Sequence, residues 1–152
     1  MKKTAFYRGK KLSNGEWIYG FYMNKDGKHI IVNTTCGNLG MGLEVDGETV
    51  GEFTGLMDKH GNKVFEHDII KYTRKCMYCP EANFHKKDLV SLHTIYWDEK
   101  DFSFCQKHYD LESKRIIGGG NITFNDDRAK ESEIEVIGNI FDNKLEECEL
   151  ND

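Results

Sequence analysis

The sequence predicts a mainly β protein, and three observations support that prediction. Fifteen glycines accompany a single proline, which is typical of strands joined by tight turns. Nine Phe, seven Tyr and two Trp supply the aromatic side chains that strands favour. No long segment has the apolar repeat of an amphipathic helix. We therefore expect a β architecture rather than a helical bundle.

The first strands are expected in a small N-terminal β module of residues 1–50. The aromatic and β-branched run at 17–22 follows an Asn-Gly pair at 14–15 and precedes an Asp-Gly pair at 26–27. Both pairs are strong turn signals. Because another apolar run begins shortly after the second pair, the pattern predicts a β-hairpin.

The remaining strands are expected in residues 51–145, before an acidic tail at 146–152. Apolar residues at the consecutive positions 69 and 70, within the run at 69–72, predict a strand that is covered on both faces. Apolar runs on either side of a charged tip at 98–101 predict a second hairpin. A last apolar run at 134–141 predicts a closing strand.

Composition bounds the possible functions. A length of 152 residues suits one main core with at most a small satellite module. The formal charge of -5 has the wrong sign for a protein that binds nucleic acid mainly through its net charge. No segment approaches the roughly 20 apolar residues of a membrane span. The N-terminus has no apolar secretory core, and five cysteines cannot all pair within one chain, so we expect a cytoplasmic protein.

One stretch of the chain resembles a known family. The motif at residues 53–71 resembles the signature of the YopX family, small proteins carried by bacteriophages and prophages of low-GC bacteria. Blocks at 8–20, 96–98 and 136–141 resemble the family's other strands, in the same order. The chain departs from the family pattern at Gly47, where the family usually has proline, and at His67, where it usually has glycine.

The resemblance implies a fold but no chemistry. It implies an SH3-like β-barrel in the C-terminal part of the chain, and a family of uncharacterised function with no established catalytic residues. Within the shared motif, Asp58, Gly61 and Asp68 fit turn and capping roles. His67 would have to adopt a strained or rearranged turn, because glycine at such a position often has a positive φ.

Cysteine and histidine spacing predicts a structural zinc site. The polar residues 73–89 are expected to form an insertion between two strands, and they contain two cysteines separated by two residues. A Cys and a His with the same separation follow further along, which suits a closed tetrahedral site with three thiolates and one imidazole. Ordinary reduced thiols are the alternative, and redox or nucleophilic roles have weaker support. The predicted ligands are Cys76, Cys79, Cys105 and His108, with His85 and His93 as alternative fourth ligands.

The same insertion is the most basic part of an acidic chain. Basic and aromatic residues around a zinc knuckle can bind single-stranded nucleic acid through phosphate contacts and stacking. The alternative is that these side chains only solubilise a loop. The candidate nucleic-acid contacts are Arg74, Lys75, Lys86 and Lys87.

Together these patterns predict a protein that works by binding rather than by catalysis. No nucleophile or acid–base pair stands out from chance in the sequence. The acidic charge favours a host or phage protein as the partner, including one that belongs to host defence. A nucleic-acid-binding module is the alternative. Exposed strand edges also make self-association plausible.

Overall fold

The computed structural model describes residues 6–33, 42–74, 89–101, 103–110, 115–116 and 133–142. The chain divides into two compact units, Met1–Leu56 and Met57–Asp152. Among the described residues the structure is mainly β, as the sequence predicts, with one short 3-10 helix. Within those same ranges, no helix has the length and apolar character needed to cross a membrane.

The first unit contains an antiparallel sheet. Its strands lie in the order β4-β3-β2-β1-β5, so consecutive strands are mostly neighbours. A 3-10 helix at Gly47–Thr49 precedes β5, and the side chain of Asp46 caps it by accepting the backbone N–H of Glu48. The strands are β1 (Tyr7–Lys10), β2 (Trp17–Lys25), β3 (Lys28–Val32), β4 (Gly42–Glu44) and β5 (Gly51–Met57), and β5 crosses the boundary between the units.

The predicted N-terminal hairpin is confirmed. Strands β2 and β3 are joined by only two residues, Asp26 and Gly27, with φ values of 53° and 78°. Two positive φ values in a two-residue loop match a type I′ turn, whose twist suits the strands that it connects. The backbones of β2 and β3 also approach each other closely at Gly20. A Cβ at this position would lie only 2.1 Å from the carbonyl oxygen of Val32, so only glycine fits without a shift.

A small apolar core supports this sheet. Ile18, Ile31 and Val45 are at most 6% exposed and pack together. Because side chains alternate along a strand, this burial assigns the even-numbered residues of β2 to the core face. The odd-numbered residues of β2 therefore lie on the opposite face. The core is completed by partly buried Tyr7, Tyr22 and Val50.

The second unit contains another antiparallel sheet. The strands of this unit are β6 (Lys63–Phe65), β7 (Asp68–Arg74), β8 (Leu89–Asp98), β9 (Ser103–Asp110), β10 (Arg115–Ile116) and β11 (Glu133–Asn139). The sheet has the order β10-β9-β8-β7-β11. The predicted hairpin with a charged tip is confirmed as β8 and β9, and the closing strand is confirmed as β11. Of the predicted insertion at 73–89, the first two residues belong to β7 and the last to β8, while 75–88 lie outside the described residues.

Both faces of the second sheet bury apolar side chains. Ile69 and Ile70 are neighbours on β7, point to opposite faces, and are 3% and 0% exposed. This confirms the prediction of a strand covered on both sides. The SH3-like barrel implied by the family resemblance is not found: within the described part of the chain, β10 and β11 stand at opposite ends of an open sheet.

The Asp58 loop, residues 58–62, confirms the predicted turn role of the shared motif. One carboxylate oxygen of Asp58 accepts the backbone N–H groups of His60 and Asn62, each at 2.8 Å. The other oxygen accepts the Asn62 side-chain amide at 3.0 Å and the backbone N–H of Val136 at 3.2 Å. Gly61 has a φ of 81°, which suits glycine at this turn. One carboxylate thus holds its own loop and attaches it to β11.

The expected strain at His67 is also present. His67 has a φ of 69°, in the region that favours glycine. Its backbone N–H donates to the carbonyl of Ile95 at 2.8 Å, and its carbonyl accepts from Ile140 at 3.1 Å. Its ring meets Phe141 edge-on with the ring centroids 5.2 Å apart. These contacts hold the residue in an unfavourable backbone conformation.

Candidate functional site

The predicted zinc ligands fall into two groups. Cys76 and Cys79 lie outside the described residues, as does the alternative ligand His85. Cys105 and His108 both lie on β9. The four-ligand zinc site therefore stays a prediction, and only its second pair of ligands can be placed.

Cys105 and His108 lie on opposite faces of β9, because they are separated by an odd number of positions on one strand. Cys105 is opposite Tyr96 on β8 and is fully buried, with its Sγ 3.7 Å from the Ser103 hydroxyl. His108 is opposite His93 and is exposed. One ion could contact both side chains only if this part of β9 departed from regular alternation.

The Cys105 face carries a different group of possible metal ligands. Asp98, Asp101 and Cys105 have their ligand atoms within 4.8 Å of one another. They meet because the hairpin between β8 and β9 turns back at Asp98, which is opposite Ser103. Burial raises the pKa of Tyr96 above its usual value, and the negative charges of Cys105, Asp98 and Asp101 raise it further. The sequence indicated that the hairpin tip is charged. It could not indicate that Cys105 lies close to this tip, because that depends on how β8 and β9 are paired.

The His108 face brings two imidazole rings together. The rings of His93 and His108 lie 5.3 Å apart between centroids and are inclined at 71°. His93 is 8% exposed, and its Nε2 lies 2.8 Å from the Ser91 hydroxyl. Burial and the nearby His108 lower the pKa of His93 to about 4, so His93 is neutral at pH 7. The structure thus places the alternative ligand His93 beside His108 rather than beside Cys105.

The candidate nucleic-acid contacts are mostly outside the described residues. Lys75, Lys86 and Lys87 belong to the insertion and have no described placement. Arg74 is the last residue of β7, and its backbone is paired with that of Leu89 at the other end of the insertion. The basic surface on the insertion therefore also stays a prediction.

An apolar strip on β2 was not singled out by the sequence. Tyr19, Phe21 and Met23, here called the β2 strip, are 42%, 41% and 48% exposed. They occupy alternate positions, so they share the face of the sheet opposite the core. Strand alternation would have revealed the strip if Ile18 had first been assigned to the core.

Trp17, the first residue of β2, is covered by cations beside the β2 strip. The guanidinium carbon of Arg8 lies 4.6 Å from the centroid of a Trp17 ring, and the Lys10 ammonium lies 5.4 Å from it. Arg8 is only 6% exposed. The indole therefore has partners within the unit.

Comparison with known proteins agrees with the motif described above. The family model described as YopX protein matches residues 6–146. No curated protein matches the chain. Since the matched segment covers nearly the whole sequence, with its turn residues Asp58 and Gly61 in their expected roles, the chain belongs to the YopX family.

Proposed function

We propose that this protein is a non-catalytic accessory protein of the phage or prophage type, which acts in the host cytoplasm by binding a host or phage protein. The single observation that carries the proposal is the β2 strip, two aromatic side chains and a methionine that remain about half exposed. Family membership supports the phage or prophage setting. A partner that belongs to host defence fits within this proposal.

The composition of the β2 strip suits a protein interface. Aromatic residues and methionine are enriched at the centres of interfaces, where they bury much apolar area. The neighbouring positions on β3 extend the patch, because Val32 is opposite Phe21 and Ile30 is opposite Met23. Both β3 residues are partly buried. A contiguous apolar patch on a sheet is more informative than the same residues scattered singly.

Lysines border one end of this surface. Lys25 and Lys28 are opposite each other beside the β2–β3 turn and are both exposed. Lys28 reaches Glu44 at 3.2 Å, in an ion pair whose side chains are 63% and 43% exposed. The partner best matched to this surface has an apolar centre and an acidic rim.

Nucleic acid is the alternative partner, and one observation favours it. Exposed aromatic rings on a sheet, with lysines nearby, can also stack on the bases of a single strand. The net charge of -5 opposes this function, since phosphate contacts dominate such affinity. The basic residues predicted in the insertion would have to supply those contacts.

Matched capture experiments test the proposal. Purified wild-type protein and the double variant Phe21→Ser/Met23→Ser would be used to recover partners from cells that carry the phage or prophage. We expect recovery of a stoichiometric partner to fall at least about ten-fold in the double variant, because central aromatic contacts dominate interface energy. Val90→Ser is the control, since Val90 is 55% exposed on the other unit.

Three results would overturn the proposal. Equal recovery by the wild type and the double variant would exclude the β2 strip as the interface. Equal losses in the double variant and the control, with both variants folded by circular dichroism, would show that the loss is not specific to the β2 strip. Tight, salt-sensitive binding of a single-stranded oligonucleotide, lost in Lys86→Glu/Lys87→Glu, would favour the nucleic-acid alternative.

A structural zinc bound by Cys76, Cys79, Cys105 and His108 remains a prediction from ligand type and spacing, and it requires β9 to depart from regular alternation between Cys105 and His108. Elemental analysis of untagged protein tests it, with Cys76→Ser/Cys79→Ser as the comparison. About one zinc per chain that disappears in the variant would support the site. The absence of zinc from the wild type would contradict it.

Self-association through open strand edges is a further proposal, which sedimentation would test.

A further inference from the structure

Within the part of the second sheet that the structure describes, two buried side-chain atoms on β8 and β9 have no hydrogen-bond partner. They are the Nδ1 of His93 and the Oε1 of Gln106. His93 is 8% exposed and Gln106 is 3% exposed, so water outside the protein cannot readily solvate either side chain. Leaving a buried polar group without a partner is energetically costly. Two such groups close together therefore call for a bound species.

The strand register places both groups on the same face. His93 on β8 is opposite His108 on β9, and Ile95 is opposite Gln106. Gln106 and His108 are two positions apart on one strand, so their side chains point to the same side. Gln106 is thus a diagonal neighbour of His93, within reach for a long side chain. His93, Gln106 and His108 form one cluster, here called the His–Gln cluster.

The chemistry of the His–Gln cluster suits a metal cation. Gln106 Oε1 can only accept hydrogen bonds or coordinate a cation, and a neutral imidazole nitrogen offers a lone pair. Imidazole is a common ligand for zinc, copper and nickel. The exposed His108 ring supplies a second imidazole and a route of entry from solvent. Ser91 holds the other ring nitrogen of His93, as a supporting hydrogen bond commonly does for a ligating histidine.

We propose that His93, Gln106 and His108 bind one divalent first-row transition metal ion, such as Zn²⁺, with water completing the coordination shell. This site goes beyond the proposed binding function. It shares His108 with the predicted four-ligand zinc site and is an alternative to that site, because regular alternation places Cys105 on the opposite face of β9.

Metal titration of the full chain tests the His–Gln cluster. The probes are Zn²⁺ followed by calorimetry and Co²⁺ followed by absorption spectroscopy, on metal-free protein. We expect about one equivalent to bind, and affinity to fall at least ten-fold in His108→Ala, a change at an exposed position that leaves the core intact. We expect the cobalt spectrum to lack a thiolate charge-transfer band, and Cys76→Ser/Cys79→Ser to bind like the wild type.

Gln106→Glu provides a second variant with an opposite expectation. It replaces the amide oxygen with a carboxylate at the same distance along the side chain, which should strengthen cation binding. A buried carboxylate should also lower the melting temperature of the metal-free protein, and added Zn²⁺ should raise it by more than in the wild type. This gain would not occur if Gln106 had only a packing role.

Each contrary outcome overturns the proposal in an identifiable way. No binding by the wild type would mean that water alone serves the two buried atoms. Binding that survives in His108→Ala would place the ion elsewhere. Loss of binding in Cys76→Ser/Cys79→Ser, together with a thiolate band, would assign His108 to the four-ligand zinc site. None of these outcomes depends on the partner of the β2 strip.

Discussion

Asp58→Asn should weaken the second unit by removing half of the hydrogen bonds that Asp58 accepts. The carboxylate accepts four, two at each oxygen. An Asn side chain keeps one oxygen but presents an NH₂ group to the amide of Asn62 and the N–H of Val136. The Asn62 amide and the Val136 N–H would then face another donor instead of the oxygen that accepts them in the wild type. The loop would lose the bond from Asp58 to β11 and would keep the one from the Lys59 N–H to the Ile134 carbonyl.

The pKa of Asp58 sets the scale of the effect. Burial alone would raise it, but the hydrogen bonds from Asn62, Val136 and His60 outweigh burial and lower the pKa from 3.8 to about 2. A shift of this size corresponds to roughly 2 kcal/mol, and solvent screening of a surface loop reduces it to about 1–2 kcal/mol. We expect Asp58→Asn to lower the free energy of unfolding by that amount at pH 7.

The sign of the pH dependence follows from the lowered pKa. The folded state favours the ionised carboxylate, so the stabilisation is fully present well above pH 4 and is lost as the pH falls towards about 2. About half of it should be gone at pH 3. Urea denaturation of wild type and Asp58→Asn from pH 7 to pH 3 measures the difference, with Glu48→Gln as a control at an exposed carboxylate. A difference that stayed constant over this range would refute the electrostatic explanation.

Three further predictions concern backbone and core positions. His67→Gly should be about 1 kcal/mol more stable than His67→Ala. Both variants remove the ring, but only glycine tolerates a φ of 69° without strain. Equal urea midpoints for the two variants would contradict this. Gly20→Ala should lower the free energy of unfolding by at least about 2 kcal/mol, because the added Cβ would clash with the backbone carbonyl of Val32. An unchanged melting temperature would argue against this close approach of β2 and β3. Ile70→Ala should cost about 3 kcal/mol and Ile137→Ala less than about 1 kcal/mol in denaturant titrations, since these side chains are 0% and 43% exposed; similar costs would contradict the assigned burial.

Local features of the fold were predictable because their signals are local. The Asp-Gly pair at 26–27 specifies its turn through the φ values that these residues tolerate. The strain at His67 followed from the family's usual glycine. Consecutive apolar residues indicated that Ile69 and Ile70 would be buried on two faces. The implied barrel was not found among the described strands, and closure depends on pairing between distant strands rather than on composition.

The candidate sites were harder to predict because they depend on strand register. A shift of one residue in the pairing of β8 with β9 would exchange the faces of an entire strand. The sequence spacing therefore grouped Cys105 with His108, whereas strand alternation separates them. The same register brings His93 and Gln106 together across two strands. Nothing in the order of residues along the chain indicates that neighbourhood.

Site-specific photo-crosslinking tests the proposed binding function most directly. A photoreactive phenylalanine analogue would replace Phe21 in the β2 strip, or Val90 as the matched exposed control. We predict a discrete crosslinked protein product at position 21, in cells that carry the phage or prophage, and none of the same mass at position 90. Crosslinking to nucleic acid, equal products at both positions, or no product at position 21 would contradict a protein partner bound at the β2 strip.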